Sequence, residues 1–305
     1  MKKTAIYSSQ ESNRLDKYIC SFYPDISRRF FQKAIKSGQV LVNNNTVPPS
    51  YKVKFKDEIK INIKKLPNTE IEAKPEKNID FEIISEYSDF RIINKPAGIS
   101  VHPSENETGG TLVNGLLNKF PEIKKVGENE LRPGIVHRID KETSGLLIIA
   151  KNQKAFKYFK TLFKNRGIEK TYLTWAWGNL KNKSGEIKAF TGKSNRNPTK
   201  QAVSHNPEKL INPKEALTYY QVLKELDSKS LIELKPKTGR KHQLRLHLHS
   251  IGHPIIGDKK YFNKTIKSAN QKFSRHLLHA YKIKFKYSDG KKYQFETKPP
   301  KDFEI

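Results

Sequence analysis

A single cysteine, Cys20, is present among 305 residues. One thiol cannot close an internal disulfide, and it cannot build a zinc site from several thiolates. Long apolar runs are missing too. No stretch approaches the ~20 residues that a membrane-spanning helix needs, and the start MKKTAIYSSQ lacks the apolar core of a secretory signal. A cytoplasmic, soluble chain with no membrane partner is therefore expected. Acidic residues are scarce as well: 31 Asp+Glu stand against 59 Lys+Arg, a net charge of +28. That excess is more than solubility requires and predicts attraction to a polyanion, with nucleic acid as the leading partner. No internal repeat is visible, and the length suits one small and one large domain.

Residues 12–64 read as the small domain. Leu15, Tyr18, Ile19 and Phe22 fall at helical spacing after a candidate cap at Ser12 or Asn13. A second helix is expected from Ser27, with Phe30, Phe31, Ala34 and Ile35 as its stripe and Gly38 at its end. Val40-Leu41-Val42, the turn Asn43-Asn44-Asn45, and a lysine-alternating stretch from Tyr51 to Ile63 then predict strands, the last a half-buried pair. Residues 1–64 hold thirteen Lys or Arg against five Asp or Glu, a net of +8, and Arg28-Arg29 opens the second helix. The order SRR, IKSG, VLVNN, KDEIKI resembles the RNA-binding domain first seen in ribosomal small-subunit protein four. The resemblance implies that Arg28 and Arg29 contact RNA.

Residues 65–78, with Pro67, Pro75 and many charges, read as a linker. The larger domain is expected over 79–305. Its strands and helices mix without a regular strand-helix rhythm, which predicts an α+β fold with a largely antiparallel sheet. Phe81–Ile84 and Phe90–Asn94 form a hairpin around Ser88-Asp89, and a helix begins near Thr111. Asn152 caps a helix with Ala155, Phe156, Phe159, Leu162 and Phe163 on one face. In GIEKTYLTWAWG, Tyr172 points away from Trp175 and Trp177. Residues 181–212 read as a loop or a β excursion. Leu217–Leu223 and Ser230–Lys235 are strands, Leu244, Leu248 and Ile251 mark a helix, and 281–295 closes the chain as a hairpin around Asp289-Gly290.

Polar chemistry concentrates between Arg132 and Lys151, where LRPGIVHRIDKETSG meets the apolar run LLIIA. A polar loop pinned to a buried strand presents side chains on a rigid support. Taken alone, the stretch fits a salt-bridged turn as well as a site. Elsewhere, Gly192-Lys193-Ser194 is half a phosphate loop, but the upstream glycine it requires is Ile187, so no nucleotide cofactor is expected. His242, His247, His249 and His253 cluster in sequence, yet no acidic residue is interleaved before Asp258, and no metal is expected. His137 reads as a structural histidine.

Four segments, NKPAGISVHP, HRIDKETSGLLIIAK, EKTYLTWAWG and TGRKHQLRLHLHSIGHPIIGD, follow the small domain in that order. Together they resemble the RluA family of pseudouridine synthases, over nearly the whole chain. Ile139 stands where Leu is more usual, and no functional residue of the family's pattern is missing. The resemblance implies a cofactor-free isomerase, expected as a monomer, that breaks the ribose C1′–uracil N1 bond, turns the base and joins C5 to C1′. It implies Asp140 as the carboxylate at the sugar, Arg245 as its cation, and Tyr172 against the flipped base. Arg138 would fill the gap the base leaves, while Lys95, Arg240 and His242 would shape the pocket or contact RNA. Ribosomal RNA is the expected substrate. The alternatives are a non-catalytic ribosome-assembly factor and a hydrolase that releases free uracil.

Overall fold

A computed structural model of the chain describes residues 2–23, 26, 28–63, 72–104 and 107–305. They fall into two units, 1–71 and 72–305. In the first, β1 (Lys2–Ile6), β2 (Asn13–Arg14), α1 (Leu15–Ser21), α2 (Arg28–Lys36), β3 (Val40–Val42), β4 (Lys52–Val53) and β5 (Glu58–Asn62) follow in order. The apolar stripes of the helices meet the strands: Leu15, Ile19, Phe31 and Ile35 are buried with Val40, Val42, Ile59 and Ile61. Asn43 and Asn44 take φ of 50° and 63°, the left-handed backbone that short polar side chains tolerate in a tight hairpin.

Local patterning did not foresee every pairing here. β4 pairs with β2, whereas β5 lies between β1 and β3, so the stretch 51–63 is divided between two sheets. β1 carries the unit back to Lys2, beyond the expected boundary at 12. Helix α1 starts after Arg14 without a side-chain cap. Ser27 and the side chain of Arg29 lie outside the described residues.

Arg28 departs from the expected phosphate grip. Its Nη2 donates to both carboxylate oxygens of Asp16, at 2.9 and 2.8 Å. Arg14 (3.1 and 3.0 Å) and Gln32 (2.6 Å) donate to the same wholly buried group. Burial pushes the Asp16 carboxyl up, but the hydrogen bonds from Arg14, Gln32 and Arg28 outweigh it and hold the carboxyl far below its ordinary value. A carboxyl depressed in the folded state stabilises above its unfolded value near ~4, and that stabilisation is lost as pH falls through the lower folded value. Both arginines are 41% exposed, which screens the attraction. Asp16→Asn should lower hydrogen-exchange protection of α1 and α2 by about 2–3 kcal/mol at pH 7. The gap from the wild type should begin to narrow below pH ~4 and shrink progressively toward the folded value. Equal protection at pH 7 would show that the network does not hold the helices.

The second unit begins earlier than the expected boundary at 79. Ala73 is buried in its core. Asn114 Nδ2 donates to the Lys74 carbonyl at 2.7 Å, and the Gly110 N–H donates to Glu76 at 3.0 Å. Residues 72–78 are thus packed, and 64–71 lie outside the described residues.

Its elements are β6 (Glu82–Glu86), β7 (Phe90–Lys95), α3 (Leu112–Lys119), β8 (Ser144–Ala150), α4 (Gln153–Lys164), β9 (Ile168–Trp177), β10 (Ser184–Ser194) and β11 (Gln201–Ser204). Then come β12 (Leu210–Leu226), β13 (Lys229–Pro236), α5 (Gln243–Ser250), α6 (Lys267–Gln271), β14 (Leu278–Lys286) and β15 (Lys292–Glu296). Among the described residues they form one sheet in the order β11-β10-β12-β13-β9-β14-β8-β7-β6, with β15 also on β14. The predicted α+β architecture holds, since β8 with β14 is the one parallel pairing among the described strands. Residues 181–212 extend the sheet through β10 and β11. Among the described residues, no helix is long and apolar enough to cross a membrane.

Every residue of β8 is buried, as its unbroken apolar run requires. Burial of each Leu or Ile side chain there stabilises by about 1.5–3 kcal/mol, which fixes the strand and whatever loop enters it. Its parallel contact with β14 depends on Gly145. There φ is +115°, and an added Cβ would lie 2.4 Å from the Ala280 carbonyl oxygen. Asn152 caps α4 by accepting the Ala155 N–H at 2.9 Å. On β9, Trp175 packs with Ile256, Leu277 and Phe303, while Tyr172 faces the clusters on the other side.

Candidate active site

The loop 137–143 that enters β8 is anchored along its whole length. Thr143 Oγ1 meets His276 Nε2 at 2.8 Å, and Ser144 Oγ meets His279 Nδ1 at 2.9 Å. Burial pushes both histidines down, to about 3 and about 4, so each ring is neutral at pH 7. His279 Nε2 faces the Thr297 carbonyl at 3.0 Å and therefore carries the proton, leaving Nδ1 to accept from Ser144. Arg275 donates Nη1 to the Glu142 carbonyl at 3.0 Å, and its Nε and Nη2 clasp Asp302 at 2.6 and 2.7 Å. These contacts hold Asp140 on a loop with little freedom.

Lys95 completes the anchoring, which suits pocket shaping, one of the two roles expected of it, better than RNA contact. It is wholly buried. Its Nζ donates to the carbonyls of Pro96 (2.6 Å), Ile99 (2.9 Å) and Lys141 (3.0 Å). Burial pushes it down to about 7, with Glu142 acting in the opposite direction. Three carbonyl acceptors match the three protons of an ammonium, so it ties loop 96–99 to the loop of Asp140 in charged form. The group cannot reach a ligand.

Asp140 lies in a cleft of about 530 Å³ formed by its loop, the first half of β9, the end of β13 and the start of α5. Oδ2 accepts from Arg245 Nη1 at 3.0 Å, and Oδ1 lies 3.9 Å from His242 Nε2. Burial pushes the carboxyl up, but His242 and Arg245 outweigh it and the net direction is down. At pH 7 the constant part of that effect is Arg245, because burial lowers His242 to about 4 and leaves it neutral.

Arg245 is itself fixed from behind. Its Nε and Nη2 form a fork on Asp258 at 2.7 and 2.9 Å, and Asp258 is wholly buried. Asp258 Oδ1 also accepts the N–H groups of Lys260 and Tyr261 at 2.8 and 3.0 Å. The fork thus sits on Asp258, and a single donor reaches Asp140. Burial lowers Arg245 less than Asp258 and Asp140 raise it, so it stays charged.

The other expected site residues divide. Tyr172 lines the same cleft, and burial followed by the Asp140 charge raises its phenol far above its ordinary value. Arg138 is exposed at the cleft and donates Nη1 to His102 Nε2 at 3.3 Å. Arg240 lines the cleft with Nε on the Glu215 carbonyl at 3.1 Å. His242 takes φ +57° just before α5, with Nδ1 2.7 Å from the Tyr261 hydroxyl. His137 is structural in its contacts: Nε2 accepts the Ile148 N–H at 2.9 Å, and the ring stacks on Phe163 at 4.5 Å. Of the remaining clustered histidines, His253 Nδ1 bonds the Trp177 carbonyl at 3.0 Å and His247 is buried. Among the described residues no three His, Cys, Asp or Glu side chains are grouped to hold a metal ion.

Asp258 and Tyr261 were missed by the sequence reading, although HPIIGD was among the segments quoted. The signal was an acidic residue in an otherwise apolar and glycine-rich turn, where a carboxylate needs a buried partner. Arg138, Lys164, Arg166, Lys170, Lys237 and Arg240 also line the cleft, against Asp140 as its one carboxylate.

Fold and site together give an α+β domain with a carboxylate held by an arginine in a basic cleft, the kind of site that suits an enzyme acting on a polyanion. Comparisons with known proteins narrow this. The sequence profile for RNA pseudouridylate synthase matches residues 89–250, and that of the S4 domain matches 13–59. An RNA pseudouridine synthase of Chlorobaculum parvum is 36% identical, over 97% of this chain and 93% of that protein. The ribosomal large subunit pseudouridine synthase C of Rickettsia felis is 36% identical, over 95% of this chain and 94% of its own. The solved structure of human RNA pseudouridylate synthase domain containing 1 superposes with a TM-score of 0.61 at 26% identity, covering 74% of this chain and 86% of that one. The chain belongs to the RNA pseudouridylate synthase family, and it isomerises uridine in RNA to pseudouridine.

Proposed function

We propose that the target uridines lie in large-subunit ribosomal RNA and that Asp140, Arg245 and Tyr172 carry the isomerisation. The observation behind the site assignment is the Asp140 carboxylate, held 3.0 Å from the Arg245 guanidinium in a cleft whose other charged side chains are cations. The ribosomal assignment is supported by the name of the Rickettsia felis relative, which spans nearly the same length. A ribosomal substrate also puts the protein in the cytoplasm.

The reaction breaks C1′–N1, rotates the uracil, forms C1′–C5, and moves the C5 proton to solvent while N1 gains one. Asp140, ionised because Arg245 opposes its burial, supplies the negative charge that cleavage at the electron-poor sugar requires. Tyr172, kept as a neutral phenol, offers a flat face to the base. Burial and then the Asp140 charge favour the phenol over its anion. Arg138 is exposed at the cleft, where a guanidinium can replace the extruded base by stacking and by holding phosphate. Arg240 and His242 face the RNA from the start of α5. Arg29 contacts RNA from the S4 domain, while Arg28, bonded to Asp16, ties down the helix that carries it.

Transcribed large-subunit ribosomal RNA with tritium at uridine C5 tests this reading. The expected result is tritium release to water without free uracil, and loss of the matching pseudouridine in cells lacking the gene. Release only from transfer RNA would overturn the substrate assignment.

A further inference from the structure

Lys170 stands two residues before Tyr172 on the same face of β9 and lines the same cleft. Its ammonium lies 5.9 Å from the centroid of the Phe163 ring. It also comes within 3.7 Å of where a Cβ would stand on Gly239, so it lies beside that backbone. Lys164, Arg166 and Lys237, which line the same cleft, are of its own sign. Among the described residues, Lys170 has no hydrogen bond to an acceptor and no ion pair. Burial lowers it, with no anion acting in the opposite direction.

Two other lysines of this unit that leave water are matched: Lys95 has three carbonyls, and Lys151 has Glu86 and the Tyr87 carbonyl. A half-buried cation without a counter-charge is costly unless an anion arrives. We infer that Lys170 is a phosphate-binding residue, holding an RNA backbone phosphate beside the uridine that enters the pocket. The inference rests on the uridine-isomerase reading of Asp140 and Tyr172, and it adds a contact that reading does not use. A neutral uracil oxygen would leave the charge uncompensated, whereas a phosphate completes it. Two strand positions span about 7 Å, comparable to the distance from a base to its own backbone. Lys170, Phe163 and Gly239 all line the cleft into which the phosphate would come.

The test uses the full chain and transcribed large-subunit ribosomal RNA. Binding is titrated at several salt concentrations for the wild type, Lys170→Met, Lys170→Arg and, as a control for loss of one exposed charge, Lys193→Met. Single-turnover tritium release is read on the same RNA. Lys170→Met should weaken binding several-fold at low salt and reduce the slope of log affinity against log salt by about one. Lys170→Arg should restore the slope, and Lys193→Met should leave it near wild type. Thermal melting of each variant separates loss of binding from loss of fold.

A Lys170→Met slope equal to that of the wild type would overturn the inference. So would an unchanged slope with slower release, which would mean a contact to the base. Failure of the wild type to release tritium would count against the substrate reading alone, because the salt slopes are measured independently of turnover.

Discussion

Asp140→Asn is expected to reduce uridine isomerisation by about four orders of magnitude or more, the scale seen when a residue that acts on the reacting atoms is removed. Asparagine keeps the size of the side chain and an oxygen for the Arg245 donor, so the cleft should keep its shape. What is lost is the negative charge at the sugar. RNA affinity should be unchanged or slightly tighter, because the substitution removes the one carboxylate of a cleft lined by Lys and Arg. Single-turnover tritium release and a binding titration on the same RNA measure the two quantities separately. Activity within tenfold of the wild type would remove Asp140 from the chemistry. An equal fall in activity and affinity would make it a structural residue of the binding surface.

Local signatures showed the loop that carries this residue, and the family resemblance singled it out on that loop. Arg138 to Gly145 precede an unbroken apolar strand, and Asn152 announces the helix after it, so the strand, the loop and the cap could be read within twenty residues. The hairpin at Asn43-Asn44 and the one at Asp289-Gly290 were legible for the same reason, since turn chemistry and period-two alternation act over a few residues. What escaped depends on distant partners. β1 pairs with β5, which follows more than fifty residues later. Residues 51–63 alternate throughout, yet alternation cannot say that β4 and β5 belong to different sheets. Residues 72–78 carry the charges and a proline expected of a linker, but Ala73 and the Asn114 bond fix them to the second unit.

The same distinction explains the site residues. Arg28 and Lys95 looked available as cations because a sequence does not display the acceptors around them. Asp16 occupies the first, and three carbonyls occupy the second. Arg245 and Asp140 are 105 positions apart, and only the resemblance to a family joined them on the page before the structure did. No resemblance pointed to Asp258, whose role appears only when the Arg245 fork is seen on it.

Arg245 and Asp258 give the second large effect, through pH as well as rate. Burial pushes Asp140 up, and the cationic neighbours bring it down. Removing the guanidinium in Arg245→Met should let burial prevail and raise Asp140. The ionised form needed at the sugar would then be lost from a higher pH downward, so the acid limb of the rate profile should move up. Arg245→Lys keeps a charge but cannot bond Asp258 through two nitrogens and Asp140 through a third. It should lose on the order of 10²-fold or more in single-turnover rate, in line with removal of one preorganised donor.

Asp258→Asn should lose less, about tenfold to 100-fold, which corresponds to one charge-assisted hydrogen bond. Arg245 would keep its charge and lose half of its fork. Asp140 should then stay depressed, and the acid limb should remain near its wild-type position. A merely structural role for both residues would lower the rates without separating the pH profiles. A shift of the acid limb in Asp258→Asn as large as in Arg245→Met would mean that Asp258 does more than position the guanidinium. No shift in either variant would mean that the Arg245 charge does not set the ionisation of Asp140.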